Sequence, residues 1–217
     1  MGPRPVVPNR LAQRIPQGPS DATSESLLVE TESVVQTILL TQAVTSIPHI
    51  VSWREAYKAF GAKTKKDRCS LESLMRRCTT GLPRINRLTD IYNAISIKYQ
   101  IPCGGEDLDA YSGPPQLKRM SGYEHFETVV GGEKVTELPP DGEVAWCDDA
   151  GITCRRWNWR QCSRTRITDR TTRVLFILDA LEPCSDDNLE AAADELVEII
   201  GSLSPDVKTM RRMIQKA

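Results

Sequence analysis

The sequence predicts an α+β domain in which helices pack around a central mixed or antiparallel sheet. Three observations lead to this class. Apolar residues recur at helical spacing as far as Tyr99, short β-type runs separated by turn residues follow from Pro102, and a last helical segment ends near Leu203. Helices first, strands later and a closing helix are typical of one sheet covered by segregated helices.

Four segments before residue 100 show helical spacing of apolar residues: about 21–43, 52–60, 70–78 and 86–99. Asp21 or Ser24 is expected to cap the first helix, because the side-chain oxygen accepts a hydrogen bond from a free backbone amide. Ser52 and Glu55 have the spacing of a capping box, which predicts that the second helix begins at Ser52. Gly61 is then expected to end that helix.

The second half of the chain is read as strands joined by tight turns. The expected strands are 117–120, 127–130, 134–138, 144–147, 152–161 and 173–180. Gly131 and Gly132 mark one hairpin turn, and the Pro-Pro-Asp-Gly segment at 139–142 marks another turn. The last strand is continuously apolar, which predicts burial of both its faces. Ser185 is expected to cap the closing helix, which runs over about 186–203.

Composition divides the chain into three parts. Residues 1–20 hold five prolines and few apolar residues, so we expect a flexible arm there. Residues 21–203 form the expected domain, and residues 204–217 a tail or a short amphipathic helix. A length of 217 residues suffices for one domain with a sizeable core and such extensions.

Composition and motif spacing argue against several classes. No apolar run has the length of a membrane-spanning helix and the start lacks a signal-peptide pattern, so we expect a cytoplasmic protein without a membrane partner. The seven cysteines include no Cys-x-x-Cys pair, so we expect reduced cysteines and no metal site. Neither a phosphate loop nor a dinucleotide fingerprint is present, and the two histidines form no Ser–His–Asp or Cys–His pattern. We therefore expect no cofactor.

The most distinctive segment is Cys-Arg-Arg-Trp-Asn-Trp-Arg-Gln at residues 154–161. In a continuous strand, alternation would place Arg155, Trp157 and Trp159 on one face and Arg156, Asn158 and Arg160 on the other. Burying this second, polar face costs desolvation energy unless it contacts solvent, partner carboxylates or an anionic ligand. A ligand-facing surface and a buried network with Asp148, Asp149 or Glu106 both remain open.

Residues 104–109, Gly-Gly-Glu-Asp-Leu-Asp, follow the fourth predicted helix. Gly104 and Gly105 permit close approach of a ligand to the backbone. Glu106 and Asp107 supply carboxylates of the kind that orient a water or take part in proton transfer. The segment does not fit the calcium-loop template. A plain turn after the helix and a loop that lines a pocket are both compatible with this pattern.

Basic residues crowd the segment after the second predicted helix: Lys63, Lys65, Lys66 and Arg68. The net charge of the whole chain is only −1, so any attraction to nucleic acid must be local. Such a patch is able to hold phosphates at chosen points. A solvated surface without a partner is the alternative.

Four motifs, at residues 53–63, 86–96, 104–109 and 148–161, resemble the free-standing B-three/B-four domain proteins. These proteins are similar to the tRNA-binding and editing domain in the β subunit of phenylalanyl-tRNA synthetase, which hydrolyses the ester of wrongly attached tyrosine. The resemblance covers about residues 18–203. It implies an α+β fold with a central sheet, and a partner that is tRNA or the 3′ end of an aminoacyl-tRNA.

Two features depart from the synthetase pattern. The family's editing-site histidine falls on Gly104, and its small, glycine-rich strand is occupied by Arg-Trp-Asn-Trp-Arg-Gln. Both departures indicate a polar ligand other than tyrosine.

The resemblance and these residues together suggest a tRNA-binding protein that hydrolyses mischarged aminoacyl-tRNA in trans. The alternative is a non-catalytic module that binds tRNA, a small anion or an amino acid. The expected catalytic residues are Glu106, Asp107, Asn158 and Arg160. The expected ligand-binding residues are Gly104, Gly105, Asp148 and Arg156. The expected RNA contacts are Lys63, Lys65, Lys66 and Arg68.

Within that hypothesis each polar group has a role. Arg156 and Arg160 would hold the terminal phosphate or the oxyanion, and Asn158 would orient the substrate. Glu106 or Asp107 would place a water or clasp the amino group. An ester needs little more, since a donor aimed at the tetrahedral oxyanion contributes about 3–4 kcal/mol.

Overall fold

A computed structural model of the protein describes residues 9–214. In that part the helices are α1 (Ala22–Leu39), α2 (Pro48–Ala59), α3 (Ser70–Arg77), α4 (Arg87–Lys98) and α5 (Asp186–Ser202). Short 3₁₀ turns lie at Val44–Ser46 and Leu108–Ala110. All five helices correspond to segments that the apolar periodicity predicts.

The strands are β1 (Asn9–Gln13), β2 (Cys103–Asp107), β3 (Gln116–Arg119), β4 (Phe126–Val130), β5 (Glu133–Glu137), β6 (Val144–Asp148), β7 (Gly151–Arg155), β8 (Arg160–Gln161), β9 (Arg173–Leu178) and β10 (Lys208–Arg212). One sheet has the order β10-β1-β9-β2, a second has the order β3-β6-β7-β8, and β4 and β5 form a separate hairpin. Every pairing between these strands is antiparallel. The α+β class is confirmed, although the strands divide among three sheets instead of forming one.

Helix α4 is the centre of the fold, because it packs against α1, α5 and β2. Every residue from Leu88 to Ile97 is buried. The helix begins at a cap predicted from its sequence, where the Asn86 side chain accepts a hydrogen bond from the amide of Thr89 at 2.9 Å. A helix buried on all sides is able to present polar residues to an internal cavity as well as apolar residues to the core.

The two ends of the described chain are more ordered than the composition predicts. Strand β1 lies between β9 and β10, and its backbone pairs with both. The predicted flexible arm is therefore wrong for residues 9–13, and residues 1–8 of it lie outside the described residues. Likewise, residues 208–212 form a strand where a tail or helix was expected. Pairing between distant segments supplies the order that local composition does not reveal.

The first helix begins as predicted, and the second does not. The Asp21 side chain accepts a hydrogen bond from the amide of Ser24 at 3.0 Å, and the Ser24 hydroxyl accepts one from the amide of Asp21. Helix α2 begins four residues before the expected Ser52, at Pro48. Proline suits the first position of a helix because its missing N–H has no partner there. The capping-box spacing of Ser52 and Glu55 was therefore misleading.

None of the helices within residues 9–214 has the length and apolar character that a membrane span requires. The same residues bring together no group of three or more metal-binding side chains. All seven cysteines are free thiols, and only Cys184 is not fully buried.

Candidate functional site

A cavity of about 420 Å³ opens between α3, α4, β2 and the segment that joins β7 to β8. Pockets for small ligands commonly have a volume of about 300–1,000 Å³. Four polar residues that carry chemistry lie in its wall: Glu106, Asn158, Arg160 and Asp179. Gly104 and Gln161 also line it, so β2 and β8 face each other across the space. Three predicted catalytic residues and one predicted ligand-binding residue thus meet in one cavity.

The segment between β7 and β8 is a turn, and the predicted continuous strand over 152–161 is wrong. Arg156 and Trp157 have positive φ angles of 48° and 67°. Side chains other than glycine rarely adopt this region, so the turn is held by specific contacts. The Arg156 guanidinium lies 4.1 Å from the centre of the Trp159 ring, and the amide of Trp157 donates to the carbonyl of Val144 at 2.7 Å. Strict alternation of faces is lost here.

Acids neutralise all three arginines of this turn. Arg155 donates two hydrogen bonds to Glu143, at 2.9 and 2.8 Å. Arg156 pairs with Asp67 at 3.1 Å and with Glu143 at 3.6 Å. Arg160 pairs with Glu137 at 2.7 Å. None of these arginines pairs with the predicted partner acids, which were Asp148, Asp149 and Glu106. Alternation of side chains along a strand therefore predicted neither the face nor the partners of these guanidinium groups.

Only one of the two guanidinium groups expected in the site reaches the cavity. Arg160 lines it, with 34% of its side chain exposed, whereas Arg156 is not part of the wall. The Nε–H of Arg160 is buried and makes no hydrogen bond to any described residue. It is therefore a buried donor without an acceptor among the described residues, while Glu137 holds the rest of the guanidinium.

Asn158 joins the cavity wall to the core. Its Oδ1 accepts a hydrogen bond from the Tyr57 hydroxyl at 3.0 Å, and its Nδ2 donates to Asp179 at 3.3 Å. The side chain is buried and held from both ends. Asn158 therefore fixes the position of Asp179, and both ends of its amide group are already hydrogen-bonded within the protein.

Strand β2 replaces the turn or loop considered for residues 104–109. Its glycines have different neighbours, because successive positions of a strand face opposite sides. A Cβ on Gly104 would lie 3.4 Å from the Gln161 amide nitrogen at the cavity. A Cβ on Gly105 would lie 2.9 Å from Ile167 and 3.0 Å from Tyr92. Gly105 is therefore a packing residue and does not line the cavity.

We expect Gly105→Ala to destabilise the fold by about 1–3 kcal/mol, because the added methyl group overpacks a closed part of the core. Gly104→Ala is the matched control, since its methyl group meets only a flexible side chain. Urea unfolding of both variants measures the difference. Equal midpoints for the two variants would contradict this assignment of the two glycines.

Glu106 lies in the cavity wall and is only 2% exposed. The Tyr111 hydroxyl donates to its carboxylate at 2.5 Å. Burial raises the pKa of Glu106, and hydrogen bonds from Tyr111 and Thr165 oppose part of that rise. A buried carboxyl group with a raised pKa is a common feature of acid–base sites.

Two other predicted carboxylates lie outside the cavity wall. Asp107 accepts hydrogen bonds from the amide of Asp109 at 3.0 Å and from the hydroxyl of Thr171 at 2.6 Å, so it orders the end of β2. Asp148 forms two hydrogen bonds of 2.8 Å with Arg164 and orders the turn between β6 and β7. Both are committed to structural contacts, contrary to the roles expected for them.

The second cavity carboxylate is Asp179, which is not among the site residues predicted from the sequence. It follows β9 directly, is 3% exposed, and accepts hydrogen bonds from the Trp157 indole at 3.2 Å and from Asn158 at 3.3 Å. Burial raises the pKa of Asp179 to about 7, with these donors opposing the rise. The available signal was an aspartate at the end of a continuously apolar strand, where a polar side chain has to face a cavity or solvent.

The basic segment lies beside the turn that lines the cavity. Lys63, Lys65 and Lys66 are exposed, and Arg68 donates to the carbonyl of Lys65 at 3.0 Å. The segment is tied to the turn through the Asp67–Arg156 ion pair and through a hydrogen bond of 3.0 Å from the amide of Ser70 to the carbonyl of Asn158. Arg77, at the end of α3, is exposed and lines the cavity. Cations therefore lie both beside this turn and in the cavity wall.

The comparisons with known proteins agree with this architecture. A search of curated proteins finds no match to the chain. The sequence model of the B3/4 domain matches residues 52–204, a range that contains the whole cavity wall described above. The match extends over more than half of the chain. The protein therefore belongs to the B3/4 domain family, the domain found in the β subunit of phenylalanyl-tRNA synthetase.

Proposed function

We propose that the protein binds the aminoacylated 3′ end of a tRNA and hydrolyses the ester of mischarged aminoacyl-tRNA in trans. The observation that carries this proposal is that Glu106, Arg160 and Asp179 open onto one cavity inside the B3/4 domain. The family is consistent with a synthetase-related binding module. The buried carboxylates and the exposed cations add a chemical reason to place an aminoacyl ester there.

The reaction needs a placed water and a stabilised oxyanion. Water attacks the ester carbonyl carbon while its proton passes to Glu106, and the carbonyl oxygen gains negative charge. The free Nε–H of Arg160 is the donor for this oxyanion, and one such donor contributes about 3–4 kcal/mol. The bond to the ribose oxygen then breaks, and the proton on Glu106 passes to that oxygen. No histidine or covalent intermediate is required.

The tRNA backbone binds along the basic segment in this proposal. Lys63, Lys65 and Lys66 are exposed and project from the segment tied to the turn beside the cavity. Arg77 lies in the cavity wall, where it meets the terminal phosphate. Net charge does not attract RNA to this chain, so these few contacts have to supply the electrostatic attraction.

Replacing Lys63, Lys65 and Lys66 with alanine is expected to weaken tRNA binding about tenfold and to make the salt dependence of binding shallower, because fewer counterions are released. Fluorescence anisotropy at several salt concentrations measures both effects. The control replaces three exposed lysines elsewhere, Lys118, Lys134 and Lys208. An equal loss in both triple variants would mean that the basic segment holds no specific phosphates.

A deacylation assay against a panel of mischarged tRNAs tests the proposed function. Release of the amino acid from at least one tRNA, faster than spontaneous hydrolysis, is the expected result. Binding of tRNA without cleavage of any substrate would leave the non-catalytic module as the function. If the protein neither binds nor cleaves any tRNA, both the hydrolase and the non-catalytic module are ruled out.

A further inference from the structure

Two buried carboxylates in the cavity wall have no cationic partner among the described residues. Three buried acids elsewhere have arginine partners, with Arg54 at 3.0 Å from Glu72, Arg155 at 2.8 Å from Glu143 and Arg164 at 2.8 Å from Asp148. Glu106 and Asp179 form no ion pair with any described lysine or arginine, and both line the cavity. A buried carboxylate without a cation is costly unless hydrogen bonds satisfy it. Glu106 has such donors in Tyr111 and Thr165, so Asp179 is the group whose charge a ligand has to balance.

Asp90 shows that the lack of an ion pair alone does not indicate a ligand. It is also buried without a cation, but the Ser20 hydroxyl and the amide of Ile85 bond to its two oxygens at 2.5 and 2.9 Å. It does not line the cavity. Asp179 has only the two longer hydrogen bonds from Trp157 and Asn158. Its carboxylate is therefore less completely satisfied than that of Asp90.

The wall around Asp179 is aromatic. Trp146 and Trp157 lie next to Asp179, and Tyr92 and Trp159 also line the cavity. The faces of aromatic rings attract cations, most strongly where water is excluded. A carboxylate among indole rings is therefore suited to an ammonium or guanidinium group carried on an aliphatic chain.

A third N–H group lies near Asp179. The indole N–H of Trp146 is close enough to the carboxylate to oppose the rise in its pKa, although it falls short of a well-formed hydrogen bond. Trp146 is 3% exposed, so water at the outer surface does not satisfy this donor. The donors that reach Asp179 from the described residues are therefore uncharged, and none supplies the positive charge that a buried carboxylate requires.

We infer that the cavity takes a basic aminoacyl group, with its side-chain cation at Asp179 and its ester group beside Glu106. The inference rests on the proposed function and names the substrate class of that site. A negatively charged aminoacyl side chain does not fit at Asp179, because the turn arginines are already neutralised by Glu137, Glu143 and Asp67. A neutral side chain would leave Asp179 buried without a counter-ion.

Two small esters isolate the side-chain charge. L-lysine methyl ester and L-norleucine methyl ester have the same chain length, and only the first carries an ε-ammonium group. The tryptophans of the cavity wall report binding through their fluorescence, and calorimetry gives the affinities. We expect the lysine ester to bind at least about tenfold more tightly than the norleucine ester, a difference of about 1.4 kcal/mol, because only its ε-ammonium balances the charge of Asp179.

Asp179→Asn is expected to abolish this preference while leaving binding of the norleucine ester almost unchanged. Asp109→Asn is the matched control, because Asp109 is exposed and does not line the cavity. Equal affinities of wild-type protein for the two esters, or no binding of either, would overturn the inference. So would a lysine preference that survives in folded Asp179→Asn. The wild-type comparison stands even if that variant does not fold.

The deacylation panel separates this inference from the proposed function. Cleavage of lysyl- and arginyl-tRNA in preference to norleucyl- and tyrosyl-tRNA supports both. Cleavage restricted to uncharged aminoacyl groups would keep the hydrolase and overturn the basic specificity. A lysine preference in ester binding without cleavage of any tRNA would keep the specificity and overturn the hydrolase.

Discussion

Glu106→Gln is expected to lower the rate of aminoacyl-tRNA hydrolysis by about 10²–10⁴-fold, the range typical for loss of a general base. The amide keeps the shape of the side chain and is able to accept from Tyr111, so the fold is expected to survive. It does not accept the proton of the attacking water. Affinity for tRNA should stay within about twofold, because the proposed phosphate contacts are made by the exposed lysines and by Arg77, and not by Glu106.

Glu127→Gln is the control for this substitution, because Glu127 is exposed on β4 and does not line the cavity. Single-turnover deacylation of the two variants and the wild-type protein gives the comparison. A wild-type rate in Glu106→Gln would remove Glu106 from the mechanism. A matching loss in Glu127→Gln would show that the assay reports general damage to the protein.

The pH dependence of the wild-type rate belongs to the same prediction. Burial raises the pKa of Glu106, so the group holds its proton to a higher pH than an exposed glutamate does. The base is active only when ionised, and the rate is therefore expected to fall as pH decreases through that raised pKa. Glu106→Gln should remove this part of the profile.

Glu143→Gln is expected to destabilise the fold by about 3–5 kcal/mol, because it breaks a buried ion-pair network by removing one partner only. Glu143 is 2% exposed and holds both Arg155 and Arg156. Arg155 is 5% exposed, so its guanidinium would remain buried with Glu137 as its only acid partner among the described residues. Chemical denaturation measures the loss in the free energy of unfolding.

Glu133→Gln provides the matched control, since Glu133 is exposed on the β4–β5 hairpin. Its stability should change by less than about 0.5 kcal/mol, as for most surface substitutions. A loss below about 1 kcal/mol in Glu143→Gln would mean that Arg155 finds another partner or water. The arginines of the turn would then be available to bind a ligand, which would contradict their role as structural ion-pair partners.

Local signals predicted the helices well and the ends of the sheets poorly. Asp21 and Asn86 cap helices as their residue types suggest, since a cap depends only on the next few residues. Strand β1 carries no such signal, because its order comes from pairing with β9 and with β10, which lie far along the chain. Sequence alone shows which segments are able to form strands, but not which distant partners complete them.

Only part of the candidate site was predicted, again because some of its contacts join segments that are distant in the sequence. Glu106, Asn158 and Arg160 were found from their chemistry, and they do line one cavity. The role of Arg156 was misjudged because alternation of faces assumes a continuous strand, and positive φ angles at Arg156 and Trp157 turn the chain there. Asp179 was missed because its importance depends on the lack of a cation nearby, which only three-dimensional proximity reveals.

The most direct test of this account is a crystal structure of the protein with a non-hydrolysable lysyl-adenosine, in which an amide replaces the ester. We predict that the aminoacyl group lies between Glu106 and Asp179, with its ε-ammonium within hydrogen-bond distance of the Asp179 carboxylate. The adenosine should extend towards Arg77. A ligand bound at another surface, or a cavity that stays empty at saturating concentration, would contradict the account.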